Sequence, residues 1–535
     1  MIITARSVNY KVRTKGKINF DFKWIVILII IAFLLIFQVF PLLYLIVRSF
    51  FPNGSFSLEG FKRIYSYALN WTALKNTIVS AGLSMIFGVL LAFPLAWLVG
   101  RTNLYGKKFF RVLFVMTYMV PPYVGAMAWL RLLNPKVGTL NVLIQNLFGL
   151  SKAPFNIYSV GGLVWVLTTF YYPLPMMLPS IVAAGLLVFV AAASCYGIPS
   201  IVGAPGQIHT VTTRIIDYVY IGSSEGLTDA TVLAVFLMAL ALIILYVSTV
   251  PIGKKQYITV SGKSTRPNIV DLGKWRLPIT ILISIFAVIV VVIPFATVLI
   301  TSFTVNMGKP LSLSNFTTKY WKIIFTRKTI LGSAKNSVLS AILAATFGMI
   351  ISCVMAYLLK RTKVKGKGIP DFLITVGSGT PSVVIALSLI MTMSGKFKIN
   401  IYNTLAILII AYMIKYMLMG MRTVVSAFSQ ISPSLEEAAQ ISGSGWARRF
   451  KDIIIPLILP SIVAGWFLIF MPCFYELTMS TLLYATNTKT LGVELFTYQT
   501  YHSQQTASAL ASAILAVVIA ANWLLNKLTG GKFSI

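Results

Sequence analysis

The sequence predicts an all-α membrane protein built from two fused, homologous six-span helical bundles, about 12 transmembrane helices in all. Three observations carry this. Of the 535 residues, 57% are hydrophobic and 11% charged, a balance outside the soluble globular range. Apolar runs of the roughly 20 residues needed to cross a bilayer recur along the whole length. The chain also repeats itself in register. Lys75-Asn76 returns as Lys335-Asn336, Phe87-Gly88 as Phe347-Gly348, Arg101-Thr102 as Arg361-Thr362 and Pro121 as Pro381, each 260 residues on. A register constant across three segments indicates two parallel copies of one unit.

Lys11, Arg13, Lys15, Lys17 and Lys23 precede an apolar run from Trp24 to Val47. That run is too long for a signal-peptide core, so it reads as a retained first span with a cytoplasmic N-terminus. Further spans fall near 72–99, 109–131, 158–173, 176–196 and 229–250. After a basic stretch they resume near 277–300, 334–359, 370–393, 402–422, 455–475 and 506–526. The units are then residues 1–252, a cytoplasmic linker 253–276, and residues 277–535. The net charge is +33. Its basic residues cluster in short segments beside apolar runs, which points to the positive-inside rule and anionic lipid and not to nucleic acid. Lys62, Arg63 and Lys319–Lys328 break that pattern.

The register shifts twice. Asn156-Ile157-Tyr158 returns 244 residues on as Asn400-Ile401-Tyr402, and Pro179-Ser180-Ile181 returns 281 residues on as Pro460-Ser461-Ile462. The first shift gives the first unit an outer loop longer by 16 residues. The second leaves about 37 residues of the second unit without a counterpart near 173–175. Spans 158–173 and 176–196 are therefore expected to meet in a tight turn at Pro173-Leu174-Pro175, the first of them short for the bilayer.

The stretch from Ser432 to Gly465, which holds the loop that the first unit lacks, is a polar island between apolar runs. Ser434 and Glu437 have capping-box spacing, which predicts a helix start. Ala438 and Ala439 give it a small face, and Gly443 and Gly445 a stop and turn. A second short amphipathic helix, Trp446–Ile454, carries Arg448, Arg449 and Lys451 before Pro456. Two short helices joined by glycines make a shape that another protein can grip. The stretch resembles the EAA loop of ABC-importer permeases: Glu437, Ala438, Ala439, Gly443, Ile453 and Ile455-Pro456 fall on the family pattern, with Ile455 replacing Leu.

Other constellations are weaker. Cys195, Cys353 and Cys473 have no ligand spacing and read as small core residues, and His209 and His502 are far apart, so no metal site is expected. Gly262-Lys263-Ser264 lacks the first glycine and the strand of a phosphate loop. Lys415, within a span, is either a charge on a path or a side chain snorkelling toward Arg422; the latter is preferred. Glu476 either meets a cationic cargo or caps a helix end. Thr212-Thr213-Arg214 with Asp217, on the outer side, either touches a docking protein or forms a local ion pair; the latter is preferred. No Ser-His-Asp set or paired carboxylates support an enzyme.

Resemblance extends over most of the chain. The tandem permease, Arg-Thr-x-x-x-Gly at Arg101–Gly106 and Arg361–Gly366, Tyr-Gly-Ile-Pro at 196–199 and Glu-Leu-Thr-Met-Ser at 476–480 look like the iron(III)-type importer permeases. Relatives handle thiamine, 2-aminoethylphosphonate or polyamines. The resemblance implies a multi-pass cell-membrane subunit that is not itself an enzyme, with a dimer of cytoplasmic ATPases holding ATP and Mg, and an extracytoplasmic binding protein delivering cargo, ferric iron first among the choices. It places Glu437, Ala438, Ala439, Gly443, Ile453 and Pro456 at the ATPase. Glu476, Tyr196 and Lys415 are candidates for the path. Two other classes stand beside it: a secondary transporter or channel, which needs ionisable residues deep in its spans, and a coupling-defective remnant, suggested by the missing first EAA loop.

Overall fold

The structure is a computed structural model that describes residues 22–52, 54–176, 181–253, 269–306, 312–432 and 434–528. Most of the expected linker, residues 254–268, lies outside them. Among the described residues the chain is helical, with isolated bridges in place of strands.

The first unit runs α1 (Trp24–Phe50), α2 (Glu59–Ser66), α3 (Ala68–Arg101), α4 (Lys107–Met119), α5 (Pro122–Leu133), α6 (Thr139–Phe148), α7 (Val160–Tyr171), α8 (Ile181–Ala193), α9 (Val211–Ile221) and α10 (Ser224–Gly253). The second runs α11 (Gly273–Thr301), α12 (Lys319–Thr326), α13 (Lys328–Arg361), α14 (Gly368–Gly379), α15 (Ser382–Met393), α16 (Leu405–Gln430), α17 (Ser434–Ile441), α18 (Phe450–Phe474), α19 (Thr478–Leu483), α20 (Leu491–Tyr501) and α21 (Gln504–Leu528).

The repeat is physical. Helices α3 and α13 are both 34 residues long and begin and end 260 positions apart. Each stops at a threonine whose hydroxyl turns back onto its own last turn, Thr102 onto the Leu98 carbonyl and Thr362 onto the Leu358 carbonyl, both at 2.6 Å. The amide of Val211 donates to Thr77 Oγ1 at 2.9 Å, and its counterpart Leu491 donates to Ser337 Oγ at 2.8 Å.

Among the described residues eight helices, not twelve, are long and apolar enough to cross a membrane as single helices: α1, α3, α10, α11, α13, α16, α18 and α21; counting each bent pair as one span makes ten. The expected spans 109–131 and 370–393 are instead bent pairs, α4/α5 and α14/α15, folded by 101° and 107°. The cause is local. A proline pushes the residue before it out of the helical region, and Val120 before Pro121 and Thr380 before Pro381 are both extended, with ψ of 146° and 134°.

The expected pair 158–173 and 176–196 is also not two spans. Helices α7 and α8 have 12 and 13 residues, about 18–20 Å each against a hydrocarbon core of about 30 Å. Helix α7 ends close to the level of Gly88 of α3. A side chain at Gly88 of α3 would meet the Tyr172 backbone and Val188, and one at Gly348 of α13 would meet Met417 and Ile469. Val188 and Ile469 are register counterparts, and Met417 lies one position beyond the counterpart of Tyr172, so the two glycines sit at equivalent levels. From that level α16 runs on to Gln430, whereas α7 has ended at Tyr171. Gly88 lies 13 positions before Arg101, so α7 ends about 20 Å short of the end of α3. Leu174 and Pro175 belong to a single helical turn, Pro173–Met176, at that depth.

The two units interleave through their first spans. Ile27, Ile30 and Leu34 of α1 pack with Met355, Ile374 and Met417 of the second unit. Reciprocally, Ile283, Ala287 and Val290 of α11 pack on Leu95, Val99 and Phe114 of the first. The buried amide of Gln38 donates to the Leu373 carbonyl at 2.6 Å. After the linker, Val270 bridges to Thr102, and Asp271 accepts from Asn103 Nδ2 at 2.5 Å.

A projecting loop and an axial cavity as the candidate functional site

The loop after α16 is built as a helix and a glycine stop. Helix α17 begins at Ser434 itself, whose hydroxyl pairs with Ser432 Oγ at 2.7 Å, so the expected Ser434–Glu437 capping box does not form. Its end is a Schellman motif: Ser444 N donates to Ala439 O and Gly443 N to Gln440 O, both at 3.0 Å, with Gly443 at φ +81°. A side chain at Gly443 would meet open space, so the left-handed backbone is what requires glycine there. Glu437 and Ala438 are exposed and Ala439 half-buried.

What fixes the loop to the bundle is Arg361, which in the sequence stands out only as a repeat and motif position. Arg361, the last of α13, reaches Glu436 at 2.6 Å, at an angle that makes a charge contact and not a hydrogen bond. It also donates from Nη2 to the Ile431 carbonyl at 2.8 Å and lies 5.4 Å over the Phe428 ring. Tyr357, one turn back, meets Phe428 and Phe450 at 6.2 and 5.7 Å. Ile453 is half-buried beside the buried Ile454, and Pro456 is exposed near the start of the following helix. The first-unit counterparts meet nothing of the kind. Trp97, at the Tyr357 position, is 42% exposed. Arg101 is exposed and makes no ion pair among the described residues.

A cavity of about 500 Å³ lies between the units. Its lining comes in repeat-related pairs, among them Leu245 with Leu525 and Leu187 with Leu468, which places it on the pseudo-two-fold axis. Two of these pairs differ in chemistry: Tyr171 faces Lys415, and Cys195 faces Glu476. Lys415 does not snorkel. Its Nζ donates to the Ser378 and Thr380 carbonyls at 2.9 and 2.8 Å, closing the C-terminal end of α14 at the proline break. Glu476 caps a helix: its carboxylate accepts from Met479 N, Ser480 N and Ser480 Oγ at 2.9–3.0 Å, at the start of α19. Tyr196 lies off the cavity and packs 5.9 Å from Phe496. Tyr171, missed in the sequence, was legible as the residue 244 positions before Lys415.

Elsewhere, Arg214 and Asp217 form the expected local pair at 3.4 Å. Arg63 meets the buried Asp229 through two nitrogens at 2.6–2.9 Å. No cluster of three or more metal-ligating side chains occurs among the described residues.

The fold and site define a multi-pass helical membrane protein, a tandem repeat closed around an axial cavity with one projecting loop. Residues 348–529, within the second unit, match the family model of the binding-protein-dependent transport system inner membrane component. It is 24% identical over 482 residues, 82% of this chain and 68% of the other, to the ferric transport system permease protein FbpB of Actinobacillus pleuropneumoniae. It is 25% identical to the Fe(3+)-transport system permease protein FbpB 2 of Haemophilus influenzae, over 92% of this chain and 96% of the other. The spermidine/putrescine transport system permease protein PotC of Escherichia coli is 24% identical over 45% of this chain and 91% of its own.

Proposed function

We propose that this chain is the membrane subunit of an ABC importer for ferric iron, that iron arrives on a separate extracytoplasmic binding protein, and that ATP and Mg are held by a cytoplasmic ATPase gripping residues 434–455. The observation that carries the reading is the projecting loop: a short helix ended by a Schellman glycine and held to the bundle by Arg361. Such an element presents a rigid knob to a partner at little ordering cost. On this reading the loop end, with Lys360 to Lys367 and Arg448 to Lys451, faces the cytoplasm, in keeping with the positive-inside rule. Glu437, Ala438, Ala439 and Gly443 would meet the ATPase, with Ile453 and Pro456, in the first turns of α18, completing the same coupling element.

Iron as the cargo is supported by the breadth of similarity to the two ferric permeases, which spans both units, whereas the polyamine permease matches less than half of the chain. A secondary transporter is less well supported. The two charged residues lining the cavity, Lys415 and Glu476, are each bonded to a helix end and have no free role as an ion-coupling relay.

The test is uptake in proteoliposomes holding the chain, its ATPase and its binding protein. Radioactive iron should accumulate when ATP and the binding protein are both present, and an excess of spermidine should leave uptake unchanged. Uptake of iron without ATP, or ATP-driven uptake of spermidine in its place, overturns the assignment.

A further inference from the structure

We propose that this permease is driven through one handle: its ATPase is gripped by the 434–455 loop of the second unit, and the first unit presents no loop and is carried along through its contacts with the second. The inference rests on the permease reading above and concerns how force enters the molecule.

Three observations carry it. Helix α7 of the first unit ends at the level of Gly88, about 20 Å short of the end of α3, whereas its counterpart α16 runs on to Gln430. A single helical turn there, Pro173–Met176, is too short to reach a partner outside the membrane. The residues that seat the loop in the second unit also have loose counterparts in the first. Arg361 is engaged by Glu436 and Ile431, whereas Arg101 is exposed and without an ion pair; Tyr357 packs between Phe428 and Phe450, whereas Trp97 is open. Finally, the first unit is tied to the second at depth, so a pull on the second is transmitted. Tyr123 donates to the Tyr475 carbonyl at 3.0 Å and Tyr220 to the Thr481 carbonyl at 3.2 Å. Arg131 donates to Gln499 at 3.3 Å and also contacts Gln504. The interleaved first spans add a wide apolar contact.

The experiment uses the full chain with its ATPase in nanodiscs and a photo-crosslinking amino acid placed at either of two exposed positions. Ile441 ends α17, and Lys108 stands at the corresponding end of the first unit. Crosslinking to the ATPase should be strong from position 441 and about tenfold weaker or less from 108, the ratio expected when one anchored contact is missing. Gly443→Trp, which strains the loop backbone, should abolish ATP-driven transport, since no second loop remains to compensate. Its global thermal unfolding should shift little, because the strain is confined to the loop and the added side chain meets no atom of the bundle. Inserting a copy of residues 418–454 between Tyr172 and Pro175 should add a second crosslinked ATPase per permease. Equal crosslinking from 441 and 108 in the unmodified chain, or Gly443→Trp retaining most transport, overturns the single handle and leaves the permease reading standing. Absence of crosslinking from both positions overturns both.

Discussion

Exchanging the two matched arginines, one per unit, gives the sharpest test of the asymmetry. In Arg361→Ala the loop loses a partly buried charge contact to Glu436, a charge-assisted bond to the Ile431 carbonyl, and a cation over Phe428. A charged hydrogen bond contributes about 1.5–3 kcal/mol and the ring contact about 0.5–1. Together they imply a loss of about 2–4 kcal/mol, with Glu436 left facing a partly buried surface. That corresponds to a shift of roughly 30- to 1000-fold in the balance between seated and released loop. Arg101→Ala removes an exposed side chain with no ion pair, so its effect should stay within about 0.5 kcal/mol, or roughly twofold. Hydrogen exchange read on peptides covering 431–445 and 97–106 checks both. Exchange in the loop should accelerate strongly in Arg361→Ala, while the first-unit peptide should be unmoved in Arg101→Ala. The reasoning fails if Arg361→Ala leaves the loop within twofold of wild type, or if both substitutions loosen their regions alike.

Three further outcomes are expected. Glu476→Ala should lower the melting temperature, at a cost of about 2–3 kcal/mol for the two amides left without their acceptor at the start of α19, and Glu476→Gln should cost less because one acceptor remains; an unchanged melting temperature in Glu476→Ala, with transport lost, would put the carboxylate on the cargo. Lys415→Met leaves two carbonyls without their donor at the end of α14 and should cost about 1–3 kcal/mol in the same assay; no loss of stability would refute a helix-closing role. Asp229→Asn should destabilise by about 1–2 kcal/mol, a value reduced by the solvent-open side of Arg63, and chemical denaturation of the detergent-solubilised protein would read it; a neutral result would show that the pair contributes nothing.

The tandem architecture was legible because a repeat needs no tertiary knowledge. The 260-residue register from Lys75 to Pro121 predicts equal helices, and α3 and α13 are equal. The number of spans was not legible, because hydropathy counts apolar residues and is blind to direction. Residues 109–131 are apolar enough to cross, yet Pro121 turns the chain by 101°; the signal was the proline and its repeat at Pro381. For 158–196, the register showed that about 37 residues were unmatched but not where the fold would absorb the loss. In the fold α7 ends at Tyr171, whereas its counterpart α16 runs on to Gln430. At the loop, Gly443 followed from turn chemistry. Arg361 did not, because its partners Ile431 and Glu436 are 70 or more residues away and a salt bridge leaves no periodic trace. Glu476 was legible as a buried acid, and which of its two readings held was decided by where α19 begins.

The interleaved first spans have a consequence for how the protein is made. Helix α1 leaves the ribosome first, but the carbonyl that receives the Gln38 amide belongs to Leu373, 335 residues later. At synthesis rates of roughly 5–20 residues per second, that partner arrives about 17–70 s afterwards. Through that interval the newborn helix rests in lipid with a bare amide facing hydrocarbon, where an unbonded polar group costs several kcal/mol. Its mirror image, α11, arrives after the helices it packs on and has no such wait. The nascent first unit is thus incomplete until α14 is inserted, and a chain released before Leu373 would expose Gln38 to any neighbouring helix able to offer an acceptor.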